Sequence, residues 1–150
     1  MDIVIKKVGL DELSSLSYLF NDYMVFYKKP SDRETYQSYL KERIKNNEAI
    51  VFIAFNNENE SIGFVLNYFS FSSVSQGKIV ILNDLFVNSK FRKNGVAEKL
   101  IQKSFDLAEE IGAVKVDLGT AKDNFGAQRL YERIGFSKDN EFYSYSYKIA

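Results

Sequence analysis

VNSKFRKNGVAEKL, residues 87–100, carries an apolar strand-like run through a basic loop into a helical pattern. The run KIVILNDLFV (78–87) ends at Val87, and Lys90, Arg92 and Lys93 follow it. Gly95 and Ala97 then open a stretch in which Val96, Leu100, Ser104, Leu107, Ala108 and Ile111 recur at helical spacing before Gly112 stops it. A helix start presents unpaired backbone N–H groups and a partial positive charge. Small residues let an anion approach that backbone closely, and Arg92 and Lys93 add full charges. The hexapeptide R-K-N-G-V-A (92–97) therefore has the makings of a phosphate cradle; a solvated basic turn that starts a helix is the competing reading. It is no Walker loop, since no Gly-Lys-Ser/Thr follows, and the third glycine and first-strand context of a dinucleotide fingerprint are absent.

Outward from this loop the chain reads as a mixed α/β sheet. Towards the N-terminus, Ile3, Ile5 and Val8 predict a first strand. Leu13, Leu16, Leu19, Phe20, Tyr23 and Tyr27 predict a helix from Leu10 to about Lys28, which Pro30 ends. Ser31-Asp32-Arg33-Glu34 reads as a capping box for a second helix through Tyr36, Leu40 and Ile44. AIVFIAF (49–55), SIGFVLNYFSF (61–71) and 78–87 are three strands whose unbroken apolar runs suit a sheet covered on both faces. Towards the C-terminus, Val114, Val116 and Leu118 predict a short strand. Asp123 can cap a helix carrying Ala127, Leu130, Tyr131 and Ile134, closed by Gly135, and Phe142 to Ile149 alternate as a final tyrosine-rich strand, with a further short strand possible near Phe136. The order β-αα-βββ-α-β-α-β fits one domain over residues 1–150.

Composition narrows the chemistry. Hydrophobic residues make up 45% and charged residues 27% of 150, an ordinary globular balance. A formal net charge of zero argues against a general nucleic-acid binder. There is no cysteine and no histidine, which removes disulfides, cysteine nucleophiles, Ser-His-Asp triads and His- or Cys-ligated metals; no metal is expected. No apolar run approaches the roughly 20 residues of a membrane span, and MDIVIKKVGL lacks the layout of a signal peptide, so a cytoplasmic location without membrane contact is the expectation.

The run L-F-V-x(4)-R-K-N-G-V-A-x(2)-L resembles the acetyl-CoA motif of the GNAT superfamily of N-acetyltransferases, Arg/Gln-x-x-Gly-x-Gly/Ala. Asn124, Ala127 and R-L-Y-E-R-I-G-F (129–136) resemble that family's later motif, and the element order matches its fold across nearly the whole chain. The resemblance implies an α/β fold with a mixed, mostly antiparallel central sheet of about seven strands, four flanking helices, and splayed strands 4 and 5. It implies that acetyl-CoA lies in the gap, with Leu85, Phe86 and Val87 along its pantetheine arm and main-chain groups of Leu85 and Val87 bonding it. Arg92, Lys93, Asn94, Gly95, Val96 and Ala97 would take its pyrophosphate, and Asn124, Ala127 and Tyr131 would complete the cofactor site. A donor near Leu85 would stabilise charge on the acetyl oxygen as an amine attacks. Tyr131 would be the general acid for the departing thiolate. On the residues alone, Tyr131 also suits a core aromatic and Asn124 an ordinary helix cap.

Asp84 interrupts the most apolar strand, and a buried carboxylate is costly without a partner or a task. It either binds a cationic amine and relays its proton through water, or is a bulge residue satisfied by backbone donors. The glutamate that histone acetyltransferases of the superfamily carry on this strand aligns with Ile81, so that base is missing. The family's acceptor groove would here hold Asp22, Tyr23, Phe26, Tyr27, Glu34, Asp84, Tyr143 and Tyr145, aromatic walls with carboxylates that suit a protonated amine. The segments YMVFYKKPSD (23–32) and YERIGFSKDNEFYSYSYKI (131–149) resemble the subgroup of polyamine and histone-type acetyltransferases, whose members often dimerise through their last strands. A small amine or polyamine acceptor and a homodimer are therefore expected. A protein lysine or N-terminus as acceptor, and a domain that holds acetyl-CoA as a sensor without turnover, are the alternatives.

Overall fold

Pro30 and Asp32 set the first corner. In the computed structural model, which describes all residues 1–150, helix α1 (Leu13–Phe26) follows a 3₁₀ turn at Leu10–Glu12 and stops just before Pro30. Helix α2 (Arg33–Lys45) starts at Asp32, whose carboxylate accepts from the Thr35 amide at 3.3 Å. The cap is therefore Asp32 rather than Ser31: the carboxylate reaches the amide three residues on, while the Ser31 hydroxyl accepts from Asn21 Nδ2 at 3.0 Å. The remaining elements are β1 (Val4–Lys7), β2 (Ala49–Phe55), β3 (Ser61–Ser72), β4 (Gly77–Val87), α3 (Val96–Glu110), β5 (Lys115–Asp117) and α4 (Phe125–Ile134). The chain divides into two compact units, Met1–Gly119 and Thr120–Ala150.

The first unit is a sheet in the order β1-β2-β3-β4-β5, antiparallel throughout except for the parallel β4–β5 pair. Helices α1 and α2 cover one face. Leu13, Leu16, Leu19, Phe20 and Leu40 pack there against Val51, Ile53, Phe64 and Leu66, all buried. Full burial of such a side chain is worth about 1.5–3 kcal/mol. Helix α3 covers the other face, setting Leu107 and Ala108 on Val80. Burial on both sides explains why β2 and β3 read as unbroken apolar runs. One polar pair crosses that core. Ser104 Oγ donates to Asn67 Oδ1 at 2.8 Å, and Asn67 Nδ2 donates to the Ile50 carbonyl at 3.2 Å, so both buried side chains are satisfied.

Two irregularities of β4 position the site. Its ladder with β5 covers only Ile79–Ile81 against Lys115–Asp117, so β4 runs on to Val87 with no strand on its outer edge. Its register with β3 shifts between Leu66, opposite Asp84, and Asn67, opposite Leu82, which leaves Asn83 as an extra residue.

The second unit contains α4, capped by Asn124, whose side chain accepts from the Ala127 amide at 3.2 Å. The cap is not Asp123, which stands one residue too early for this reach. Gly135, at φ +126, ends the helix, and its amide and that of Phe136 both donate to the Tyr131 carbonyl. Residues 136–150 form no strand, against the expectation of a final strand at Phe142–Ile149 and a short one near Phe136, and the sheet has five strands rather than about seven. Alternation marks which side chains share a face; a strand forms only when a neighbour takes its backbone hydrogen bonds.

Candidate active site

The loop before α3 is built to leave amides open. A 3₁₀ turn at Ser89–Phe91 begins at Asn88, whose side chain accepts from the Lys90 amide at 3.0 Å. Lys93 then takes φ +65 and Gly95 φ +77, left-handed conformations that turn the backbone sharply. Asn94 Nδ2 braces the turn on the carbonyls of Phe91 and Arg92, each at 3.2 Å. Gly95 is the N-cap of α3 and offers no side-chain acceptor, so the first amides of the helix, from Val96 and Ala97 onwards, keep their donors. A Cβ on Gly95 would meet nothing within 4 Å, so open space lies over this turn. These features fit a diphosphate. Arg92 is held back towards the sheet: its Nε donates to the Val87 carbonyl at 3.0 Å and its guanidinium lies 5.6 Å from the centre of the Phe26 ring.

That bond also orients the outer edge of β4. The Val87 carbonyl faces outwards to Arg92, whereas the Phe86 carbonyl faces Gly63 of β3 and the Asn88 amide donates to Ile62 at 2.9 Å. Backbone groups alternate along a strand, so the amide and carbonyl of Leu85, like those of Val87, point to the unpaired edge. An extended amide-bearing chain such as pantetheine finds there the hydrogen bonds of a missing strand.

The bulge at Asn83 decides where Asp84 stands. Without it, Asp84 would share the α3 face with Leu82; with it, Asp84 lies opposite Leu66 on the α1–α2 face, together with Ile81 and Phe86. Asp84 Oδ1 accepts from the Tyr23 hydroxyl at 2.7 Å and Oδ2 from Asn83 Nδ2 at 2.8 Å. Side chains, not backbone donors, thus hold the carboxylate. Tyr23 packs edge-on against Tyr27, Phe64 and Phe86 at 5.0, 5.6 and 5.7 Å between ring centres, and Phe26 meets Tyr27 edge-on at 5.4 Å. A cavity of about 340 Å³ lies where β4 and β5 part, lined by Ser70, Ile81, Asn83, Asp117, Leu118 and Gly119 among others.

The structure brings together Tyr23, Phe26, Tyr27, Asp84, Phe86 and Arg92 of the expected residues. Asp22 and Glu34 are exposed on their helices, outside this cluster's bonds. Asn124, Ala127, Tyr131, Tyr143 and Tyr145 belong to the second unit. There Asn124 acts as the helix cap, and Tyr131 packs edge-on against Phe136 at 5.8 Å. The sequence reading missed Tyr39 and Tyr68, whose hydroxyls are 2.7 Å apart. Tyr68 follows Leu66 by two residues in an apolar strand, a period-two signal that placed it on the face of Asp84 only once the bulge was known.

Residues 16–136 match the acetyltransferase (GNAT) family. The chain is 37% identical to YhfO, an uncharacterized N-acetyltransferase of Bacillus subtilis (strain 168), over 97% of both chains. It is 28% identical to the D-amino-acid N-acetyltransferase HPA3 of Saccharomyces cerevisiae, over 94% of this chain and 89% of that one. A crystal structure of a probable acetyltransferase superposes with a TM-score of 0.91 at 36% identity, covering 100% of this chain and 99% of the other. The chain therefore belongs to the GNAT family of acetyltransferases, and it is an acetyl-CoA-dependent N-acetyltransferase. Among all its residues, no helix is long and apolar enough to cross a membrane.

Proposed function

We propose that the acceptor is the primary amine of a small molecule, polyamines included, which attacks the thioester directly in a ternary complex. One observation carries this reading: a carboxylate, Asp84, stands among tyrosine rings beside the unpaired edge of β4. A protonated amine is attracted both to the carboxylate and to the ring faces. The D-amino-acid specificity of the yeast relative adds support for a small acceptor. Direct attack needs no acyl-enzyme, which suits a chain with neither Cys nor His.

The roles follow from chemistry. Amides of the 92–97 loop hold the pyrophosphate, and the outer edge of Leu85, Phe86 and Val87 holds the pantetheine arm, with Asn124 and Ala127 also on the cofactor. The thioester supplies an activated acetyl group. The Leu85 amide donates to the acetyl oxygen as negative charge builds there. Asp84 binds the acceptor ammonium and takes its proton, directly or through water. Tyr131 gives its proton to the departing thiolate. Asp22, Tyr23, Phe26, Tyr27 and Tyr143 wall the acceptor. The scheme calls on no metal ion, nucleic acid or membrane, and places a homodimer in the cytoplasm.

Replacing Tyr131→Phe tests the central step. Turnover on an accepted amine, followed by free-thiol release, should fall about 10²-fold or more, with the KM for acetyl-CoA within about twofold. Wild-type turnover in this variant would remove Tyr131 from the reaction.

A further inference from the structure

Tyr68 stands on the same sheet face as Asp84, one same-face position along β3 from Asp84's partner Leu66 and directly opposite Ile81. Same-face diagonal neighbours on adjacent strands are roughly 7–8 Å apart, within reach of a tyrosine. Its ring packs on the α1–α2 core, and its hydroxyl meets that of Tyr39 from α2 at 2.7 Å. Tyr39 in turn lies under the Arg43 guanidinium, 5.1 Å from the ring centre, and Arg43 is pinned by Glu48 at 2.8 Å and Glu42 at 3.1 Å. The pair is thus held in place from behind by a cation that two carboxylates fix.

The chemistry of what faces the acceptor is lopsided. Asp84 offers only acceptor oxygens, each with lone-pair capacity beyond the bonds from Tyr23 and Asn83. The paired phenols spend one donor on each other and keep most of their acceptor capacity. Burial, the bond to Tyr39 and the charge of Asp84 all keep the Tyr68 phenol protonated well above the usual phenol range, so it presents a neutral oxygen rather than a second anion. Ile81 supplies an apolar floor beside it. An ammonium group is all donor, and it needs several oxygens arranged around one negative charge.

We infer that Tyr68, backed by Tyr39, is an acceptor-binding residue that hydrogen-bonds the acceptor's ammonium group together with Asp84. This rests on the acetyl-transfer reading above. It assigns the β3 tyrosine, in addition to the β4 carboxylate, to the choice of acceptor. A cationic primary amine satisfies the site, whereas a neutral amide or hydroxyl leaves the carboxylate without its counter-charge.

The test is steady-state kinetics with acetyl-CoA and the fastest of n-butylamine, 1,4-diaminobutane and L-lysine. Tyr68→Phe removes one hydroxyl and keeps the ring. The amine KM should rise about tenfold, the loss of one hydrogen bond to a charged group, while the acetyl-CoA KM stays within about twofold. Tyr39→Phe, which loosens the pair without touching β3, should raise the amine KM less, in the same direction. A residue that only supports the fold would lower the melting temperature and leave that split between the two KM values unmoved. An unchanged amine KM in both variants, with wild-type turnover intact, overturns the role of Tyr68 alone. If Tyr68→Phe does not fold, Tyr39→Phe decides by the same criterion. If the wild type acetylates none of the three amines, the small-amine reading falls, and this inference with it.

Discussion

At the scale of single residues, the informative groups are those whose environment departs from what their type prefers. Asp84 sits in a strand of apolar residues, yet each of its oxygens has a side-chain donor. Tyr68 is half-buried beside that carboxylate, and burial is the largest reason its phenol resists ionisation. The consequence for stability has a definite sign. The folded state holds the Tyr68 proton above the ordinary phenol value, while the unfolded chain releases it near that value, about pH 10. Below that pH both states bind the proton and stability is unaffected; above it the unfolded state binds fewer protons, so stability falls as pH rises. Urea unfolding at pH 8 and pH 11 should show a larger alkaline loss in the wild type than in Tyr68→Phe. Equal losses would mean that the phenol titrates freely in the folded protein.

At the scale of elements, β4 does most of the positioning. The extra residue Asn83 turns Asp84 onto the α1–α2 face, and the end of the β5 ladder at Ile81 bares the outer edge of Leu85 and Val87. Gly63 on β3 secures this end of the strand by close approach. A Cβ there would stand 2.8 Å from the Phe86 carbonyl oxygen and 3.3 Å from Val87 Cγ2, with Leu100 of α3 at 3.4 Å. The nearest atom is backbone and cannot swing aside. Gly63→Ala should therefore cost about 1–3 kcal/mol, the usual range for overpacking, and should raise the acetyl-CoA KM by moving the edge that binds it. A urea midpoint equal to that of the wild type would show that the strands separate without cost. The capping of α2 and α4 was nearly legible in advance, since Asp32 and Asn124 stand where short polar side chains reach a helix amide. The expectation for α2 missed by one residue, and for α4 both Asp123 and Asn124 were candidates, because all four of Ser31, Asp32, Asp123 and Asn124 are good caps and only the backbone path chooses among them.

At the scale of the whole molecule, the segment 136–150 has the alternation of a strand and no ladder. Tyr143, Tyr145 and Tyr147 recur at every second position, a pattern that gains from burial against another sheet. This agrees with the proposed homodimer, in which a second copy supplies the pairing. Sedimentation velocity at micromolar concentration should give twice the 17.3 kDa chain mass. A single monomeric boundary at that concentration would count against assembly through this segment. The expected order of elements holds from β1 to α4 and fails only at the last strand, so five strands stand where about seven were expected.

Local features were legible in the chain: the glycine turn and uncapped start of α3, the places of the helices though not their exact lengths, and the apolar runs of a sheet covered on both faces. These depend on dihedral preferences, caps and periodicity, which act over a few residues. It took the packed fold to set Asp84 against Tyr23, 61 positions away, and Tyr68 against Tyr39, 29 positions away. The first outcome hangs on a strand register and one bulge in β4, which neither strand specifies until it is paired with the other; the second hangs on which face of β3 helix α2 covers.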